Sequence, residues 1–271
     1  MTRFSTLVVA TALSALVSQG VLAQQPAAPP AYAPTVGQAG KDVIWLPTQA
    51  WLIERMLDMA AVTPQDRLVD LGSGDGRTVI AAAKRGLRAH GIEYNADLVE
   101  HSRRSAQAEG VADRATFSQG DIFQSDFSDA TVVTLFLLQA LNERLRPTLL
   151  AMEPGTRVVS NTFTMGDWTP DDEVVGESGC TSFCRAYKWV IPAQAGGEWR
   201  LGEGRLALVQ RYQMLTGTLT LDGRTMDITD GRMDGRRISF EAGGRRYQGE
   251  VREGRISGQV EGAAWSAERP G

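Results

Sequence analysis

Apolar residues first take on a helical rhythm at Trp51, Leu52, Ile53, Met56, Leu57 and Met59, which predicts an amphipathic helix from Pro47 to Ala60 with Thr48 as its N-cap. Short apolar runs and helical patterns then alternate. Strands are predicted from Arg67 to Leu71, Ala89 to Glu93, Ala115 to Ser118, Thr131 to Leu138 and Arg157 to Thr162. Helices are predicted from Thr78 to Arg85, Ala96 to Glu109 and about Asn142 to Met152. Alternation of this kind predicts a parallel sheet covered by helices on both faces, with ligands beyond the carboxyl ends of the strands, near the switch in strand order. A long polar stretch, Met165 to Ser182, precedes one more apolar strand from Ala186 to Ile191.

From Gly196 the pattern changes to short runs separated by Asp-Gly, Gly-Gly and Glu-Gly turn signals: Leu206 to Val209, Leu215 to Leu221, Thr225 to Ile228, Ile238 to Glu241, Tyr247 to Val251 and Ile256 to Val260. They predict a small antiparallel β module of about six strands over 195–271. Its near balance of arginine and acid reads as a solvated face. At the other end, Arg3, an apolar stretch from Leu7 to Val17 and Val21-Leu22-Ala23 have the form of a secretory signal, so 1–23 is expected to be removed and the protein exported to the periplasm or beyond. Ser14, Ser18 and Gln19 interrupt the stretch short of the ~20 apolar residues that a spanning helix needs, so no membrane span is expected after cleavage. Residues 24–40, rich in Pro and Ala, read as a linker to an α/β domain at 41–194.

With 271 residues, 42% hydrophobic and 22% charged, the chain is long enough for a full core. A formal charge of −4 provides no basic field for a phosphate backbone, which makes nucleic acid a poor default partner. Cys180 and Cys184 are the only cysteines, and in an exported chain they are expected to pair; zinc would need His90 and His101, both distant in sequence.

The chemistry concentrates where the first strand runs into Asp70-Leu71-Gly72-Ser73-Gly74-Asp75-Gly76. Glycines there let backbone N–H groups approach a ligand closely. A glycine turn alone suits a nucleotide oxidoreductase, or any tight turn, equally well. Glu93, ending the second strand, adds a carboxylate able to grip both ribose hydroxyls, and Asp121 with Ile122, after the third, adds an acceptor and an apolar face for adenine.

The order Asp-Leu-Gly-Ser-Gly-Asp-Gly, Gly-Ile-Glu-Tyr-Asn, Gly-Asp-Ile and Glu-Pro-Gly-Thr resembles class I S-adenosylmethionine (SAM)-dependent methyltransferases, with their Rossmann-like sheet, over roughly Ile44 to Ile191. Within them Trp45-Leu46-Pro47-Thr48 and Asp70 to Lys84 are similar to the small protein-lysine N-methyltransferases that act on the ATP-synthase c-subunit and the adenine nucleotide carrier. The resemblance implies SAM as cofactor, with Asp70, Gly72 and Gly74 around its methionine part, Ser73 also in the cofactor site, Glu93 on ribose, Asp121 and Ile122 at adenine, and Trp45 closing the site. It implies a protein lysine as the candidate acceptor. The motif departs after the fourth strand. Many amino-group methyltransferases have an acidic residue or Asn there, followed by Pro-Pro and an aromatic, whereas this chain reads Leu137-Leu138-Gln139-Ala140. No catalytic base is assigned; Asn161, Phe163 and Trp168 are candidates for lining the acceptor pocket, with ordinary packing the competing reading. A second reading is an exported, non-catalytic SAM- or nucleoside-binding scaffold, favoured by location because SAM is made in the cytoplasm; retention of Glu93 and Asp121 favours the enzyme.

Overall fold

The computed structural model describes residues 1–2, 32–176 and 180–270; residues 3–23 of the expected signal and residues 24–31 lie outside them. The α/β part runs α1 (Ala50–Met59), β1 (Arg67–Leu71), α2 (Arg77–Lys84), β2 (Arg88–Glu93), α3 (Ala96–Ala108), β3 (Ala115–Gln119), β4 (Val132–Leu135), α4 (Gln139–Leu150), β5 (Arg157–Asn161), β6 (Asp172–Val175) and β7 (Arg185–Val190). The sheet order is β3-β2-β1-β4-β5-β7-β6. β1 to β5 pair in parallel, and β7 runs antiparallel to both β5 and β6. Successive strand residues pack into opposite layers. Leu68, Val132 and Val159 join the core under α1 and α2, while Val69, Val133 and Val158 join the one containing Leu145 and Leu149 of α4.

Three elements differ from the sequence expectation. β4 ends at Leu135 rather than Leu138, because its neighbours β1 and β5 stop pairing there and the chain leaves the sheet, letting α4 begin at Gln139. Thr48 is not an N-cap: α1 starts after Gln49 with no side-chain cap, and Thr48 Oγ1 instead accepts from Asn161 Nδ2 at 3.2 Å. The polar stretch after Phe163 contains an edge strand, β6, whose burial is too slight to leave a hydrophobic signature. Part of the expected linker is also docked. Gly37 N–H donates to Trp45 O and Trp45 N–H to Gln38 O, both at 2.9 Å, while the Tyr32 carbonyl accepts from Arg104 on α3. These are backbone and polar contacts, invisible to an apolar period.

The C-terminal module is an eight-stranded closed barrel: β8 (Gly197–Leu201), β9 (Gly204–Arg211), β10 (Met214–Leu221), β11 (Arg224–Asp234), β12 (Arg237–Ala242), β13 (Arg245–Arg252), β14 (Arg255–Val260) and β15 (Ala263–Glu268). The two strands beyond the expected six, β8 and β15, each bury a single residue, Trp199 and Ala267, so they show no alternation. Pairing of β15 with β8 closes the barrel and removes its free edges. Leu206, Leu219, Ile238, Phe240, Tyr247 and Ile256 fill its interior.

Trp168 fastens the barrel to the sheet. Its indole is fully buried and donates to Gln213 Oε1 at 2.8 Å, while Gln213 Nε2 donates to Thr169 O at 2.8 Å and the Tyr212 ring stacks on the indole at 5.4 Å. Asp167 beside it accepts from Arg146, Arg211 and the Tyr212 hydroxyl, which hold its carboxyl well below the usual range. Among the described residues no helix is long and apolar enough to cross a membrane. Trp168→Ala should destabilise the protein by about 3–5 kcal/mol, because it leaves a large cavity and orphans Gln213. Urea unfolding checks this, and an unchanged midpoint would remove Trp168 from this role.

Candidate functional site

An open cleft lies beyond the carboxyl ends of β1, β2 and β4. Strand order reverses between β1 and β4, which leaves a crevice between the loops that follow them. Trp45, Asp70, Gly72, Ser73, Gly74, Glu93, Asp121 and Ile122 all line it, joined by Lys41, Tyr94, Phe136 and Leu137.

The turn after β1 is built around glycine. Gly72, Gly74 and Gly76 have φ of 80°, 54° and 80°. A Cβ at Gly74 would lie 2.3 Å from Trp45 Nε1, so the indole occupies the space that a side chain would need. Glu93 completes the turn from the neighbouring strand. Its Oε2 accepts from Gly74 N–H and its Oε1 from Asn95 N–H, both at 2.9 Å. A carboxylate oxygen can accept more than one hydrogen bond, and Glu93 lines the cleft, which suits it to a vicinal diol. Asn95 in turn caps α3 through Asp97 N–H and Leu98 N–H.

Asp70 lies at the floor, 6% exposed, and accepts one hydrogen bond, from Thr134 Oγ1 at 2.7 Å. Burial pushes its carboxyl up from an ordinary 3.8 to about 7; the Thr134 bond opposes this, and the charges of Glu93 and Asp75 add to it. Among the described residues this buried carboxyl has no cationic partner, which suits a ligand that brings positive charge, as SAM does with its ammonium and sulfonium groups.

Asp121 has a partner the sequence did not reveal. Its Oδ1 accepts from Phe123 N–H at 3.0 Å and its Oδ2 from Lys41 Nζ at 2.6 Å. Lys41 also lies 5.1 Å from the centre of the Tyr94 ring. The lysine holds the Asp121 carboxyl below its usual range. Lys41 and Asp121 are 80 positions apart, and only the hairpin formed by the Ala39–Ile44 bridge brings them together.

The three acceptor-pocket candidates separate. Phe163 is half-buried, its ring 6.3 Å from that of Phe136, which lines the cleft. Asn161 is fully buried and bound to Thr48 and Thr162, and it does not line the cleft. Trp168 sits at the barrel junction, because its indole N–H is matched by Gln213 there. Cys180 and Cys184 are bonded, with S–S 2.03 Å. Among the described residues no three potential metal ligands converge.

The strand order with its reversed β7, and the acids gathered around the glycine turn, make this a class I SAM-dependent methyltransferase. A family model of the ANTKMT methyltransferase domain matches residues 70–172. A protein-lysine N-methyltransferase of Saccharolobus islandicus (strain REY15A) is 41% identical over 140 residues, 51% of this chain and 87% of that protein. The Homo sapiens lysine N-methyltransferase of the ATP-synthase c-subunit is 43% identical over 111 residues, covering 41% of this chain and 47% of the human protein. A crystal structure of an RNA methyltransferase from Salinibacter ruber with S-adenosyl-L-homocysteine is 47% identical and superposes with a TM-score of 0.52 over 55% of this chain and 95% of that one. The chain belongs to the family of small protein-lysine N-methyltransferases, and its cofactor is SAM. The non-catalytic scaffold finds no support among these relatives.

A carboxyl whose folded pKa is raised contributes stability below its unfolded pKa and loses it as pH rises through the folded value. Stability of the ligand-free protein should therefore fall between about pH 4 and pH 7, and Asp70→Asn should flatten that slope in urea titrations. Because cationic SAM favours the ionised form, binding near pH 6 should release a proton, read by calorimetry in buffers of different ionisation enthalpy. Release that persists in Asp70→Asn would assign the proton elsewhere. In the same experiment Glu93→Ala should weaken SAM by about 1.5–3 kcal/mol, the loss of a charged acceptor's hydrogen bonds. Equal affinity would free Glu93 from ligand binding.

Proposed function

We propose that the chain transfers the methyl group of SAM to the side-chain amine of a protein lysine. The observation that carries this reading is the kinship with the archaeal protein-lysine N-methyltransferase across 87% of that protein's length. The cleft is compatible with it. SAM supplies an already activated methyl group, so the chain's work is to hold, align and exclude water. Glu93 and the glycine turn fix the nucleoside end, Asp70 offers negative charge at the floor, and the Gly40–Trp45 segment covers the cleft from the side. A lysine amine, with an ordinary pKa near ~10.4, must lose its proton before attack, and desolvation against Phe136 and Leu137 favours the neutral amine.

The Salinibacter relative is described as an RNA methyltransferase. The formal charge of −4 gives no basic field to hold an RNA phosphate backbone, which argues against RNA as the acceptor here. Export remains part of the proposal, supported by the form of residues 1–23 and by the bonded cysteine pair.

With radiolabelled SAM, an envelope extract should acquire label on lysine, and total RNA from the same cells should not. Asp70→Ala should abolish the labelling. Label in RNA, or in small molecules alone, would overturn lysine while leaving methyl transfer intact. N-terminal sequencing of fractionated native protein should begin at Gln24; an intact Met1 in the cytoplasmic fraction would overturn export.

A further inference from the structure

Three neighbouring strands each deliver one phenylalanine to the same edge of the sheet. Phe136 follows β4 directly, Phe163 comes two residues after β5, and Phe183 comes two residues before β7, which runs the opposite way and so starts at that edge. The rings form a triangle, with centroids 5.2 Å apart for Phe136 and Phe183, 6.3 Å for Phe136 and Phe163, and 6.4 Å for Phe163 and Phe183. All three are half-buried, and Phe136 belongs to the wall of the cofactor cleft. None joins the main sheet cores.

The backbone holds these rings at some cost. Thr162, ahead of Phe163, has φ of 63°, and Phe183 itself has φ of 54°, the left-handed region that a non-glycine side chain rarely adopts. The Phe163 carbonyl accepts from Ser160 Oγ at 2.7 Å and from buried Asn142 Nδ2 at 3.1 Å. Phe183 lies inside the loop closed by the Cys180–Cys184 bond, and the loop is pinned to β6 by the Gly176 N–H bond to Cys184 O at 2.6 Å. Strain kept in place by surrounding structure points to a site that uses the geometry.

We propose that Phe136, Phe163 and Phe183 form the acceptor wall of the cleft and select an aliphatic amine, with the disulfide loop holding its outer ring. The inference rests on the methyltransferase reading and deepens its lysine form. In the transfer, the amine lone pair forms the N–C bond as the S–C bond breaks. The positive charge passes from sulfur to nitrogen and a proton then leaves the methylated amine for water. Aromatic faces stabilise such a cation, most when it is shielded from solvent, and the rings also cover an aliphatic stem. Neither service needs the Pro-Pro-aromatic motif that is missing after β4, and the triangle supplies rings at the same edge of the sheet from three different loops.

The test uses the full chain, disulfide intact and saturated with S-adenosylhomocysteine, titrated with the cation choline and with its neutral carbon isostere 3,3-dimethyl-1-butanol under ligand-observed NMR. The cation should bind more tightly than the alcohol. Phe163→Leu and Phe183→Leu, which keep an apolar side chain, should each weaken the cation about three- to tenfold while leaving the alcohol and S-adenosylhomocysteine unchanged. Dithiothreitol should weaken the cation for the native chain, with little further loss in Phe183→Leu. No binding by the native chain, no preference for the cation, or unchanged affinity in both variants would overturn the wall. Cation selectivity that depends on the rings, alongside label found only in RNA, would leave the wall standing and remove the lysine reading; lysine label with ring-independent cation binding would do the reverse.

Discussion

The hydrogen bond from Gly74 N–H to Glu93 Oε2 joins the turn after β1 to the end of β2, and the rest of the site is arranged around it. The turn can reach the carboxylate only because Gly74 takes positive φ and has no Cβ to meet the Trp45 indole. That indole in turn fixes where the segment before α1 crosses the cleft, which sets Lys41 against Asp121. Ser102 of α3 donates to the Gly74 carbonyl at 3.1 Å, so the helix after β2 is keyed to the same residue. One residue without a side chain thus brings two strands, a helix and the covering segment into register.

Much of this was legible in the sequence because it is local. The glycine turn, Glu93 at a strand end and Asp121 after the next strand keep a fixed order along a β-α chain, and a parallel sheet converts that order into convergence on one edge. What was not legible depends on contacts between distant segments. Lys41 finds Asp121 across 80 positions, and Thr48 is taken from its expected cap by Asn161 across 113. Trp168 read as a pocket candidate because an aromatic after the last parallel strand suits a ligand. Its partner, Gln213, lies in a module whose docking no pattern in the chain announces.

The barrel follows the same division. Its Asp-Gly, Gly-Gly and Glu-Gly turns announce hairpins, but closure depends on β8 and β15, which lie at its two ends in sequence and bury one residue apiece. A closed sheet with a filled interior carries its own core, so the α/β part needs only a junction with it. That junction combines a buried tryptophan, a glutamine that answers it, and ion pairs such as Arg232 with Asp171 and Arg236 with Glu153.

The direction of β7 sets a length scale. The strand starts at the edge where the Phe183 ring lies against Phe136 and ends at the opposite edge, where the chain passes through Ala193 to the barrel, its Val190 N–H bound to Asp171 beside the junction. Six extended residues span about 20 Å. The three rings and the start of the connection to the barrel therefore lie about one strand length apart, at opposite ends of β7. A single side chain cannot bridge that distance, and a peptide would need about six extended residues to touch both places at once.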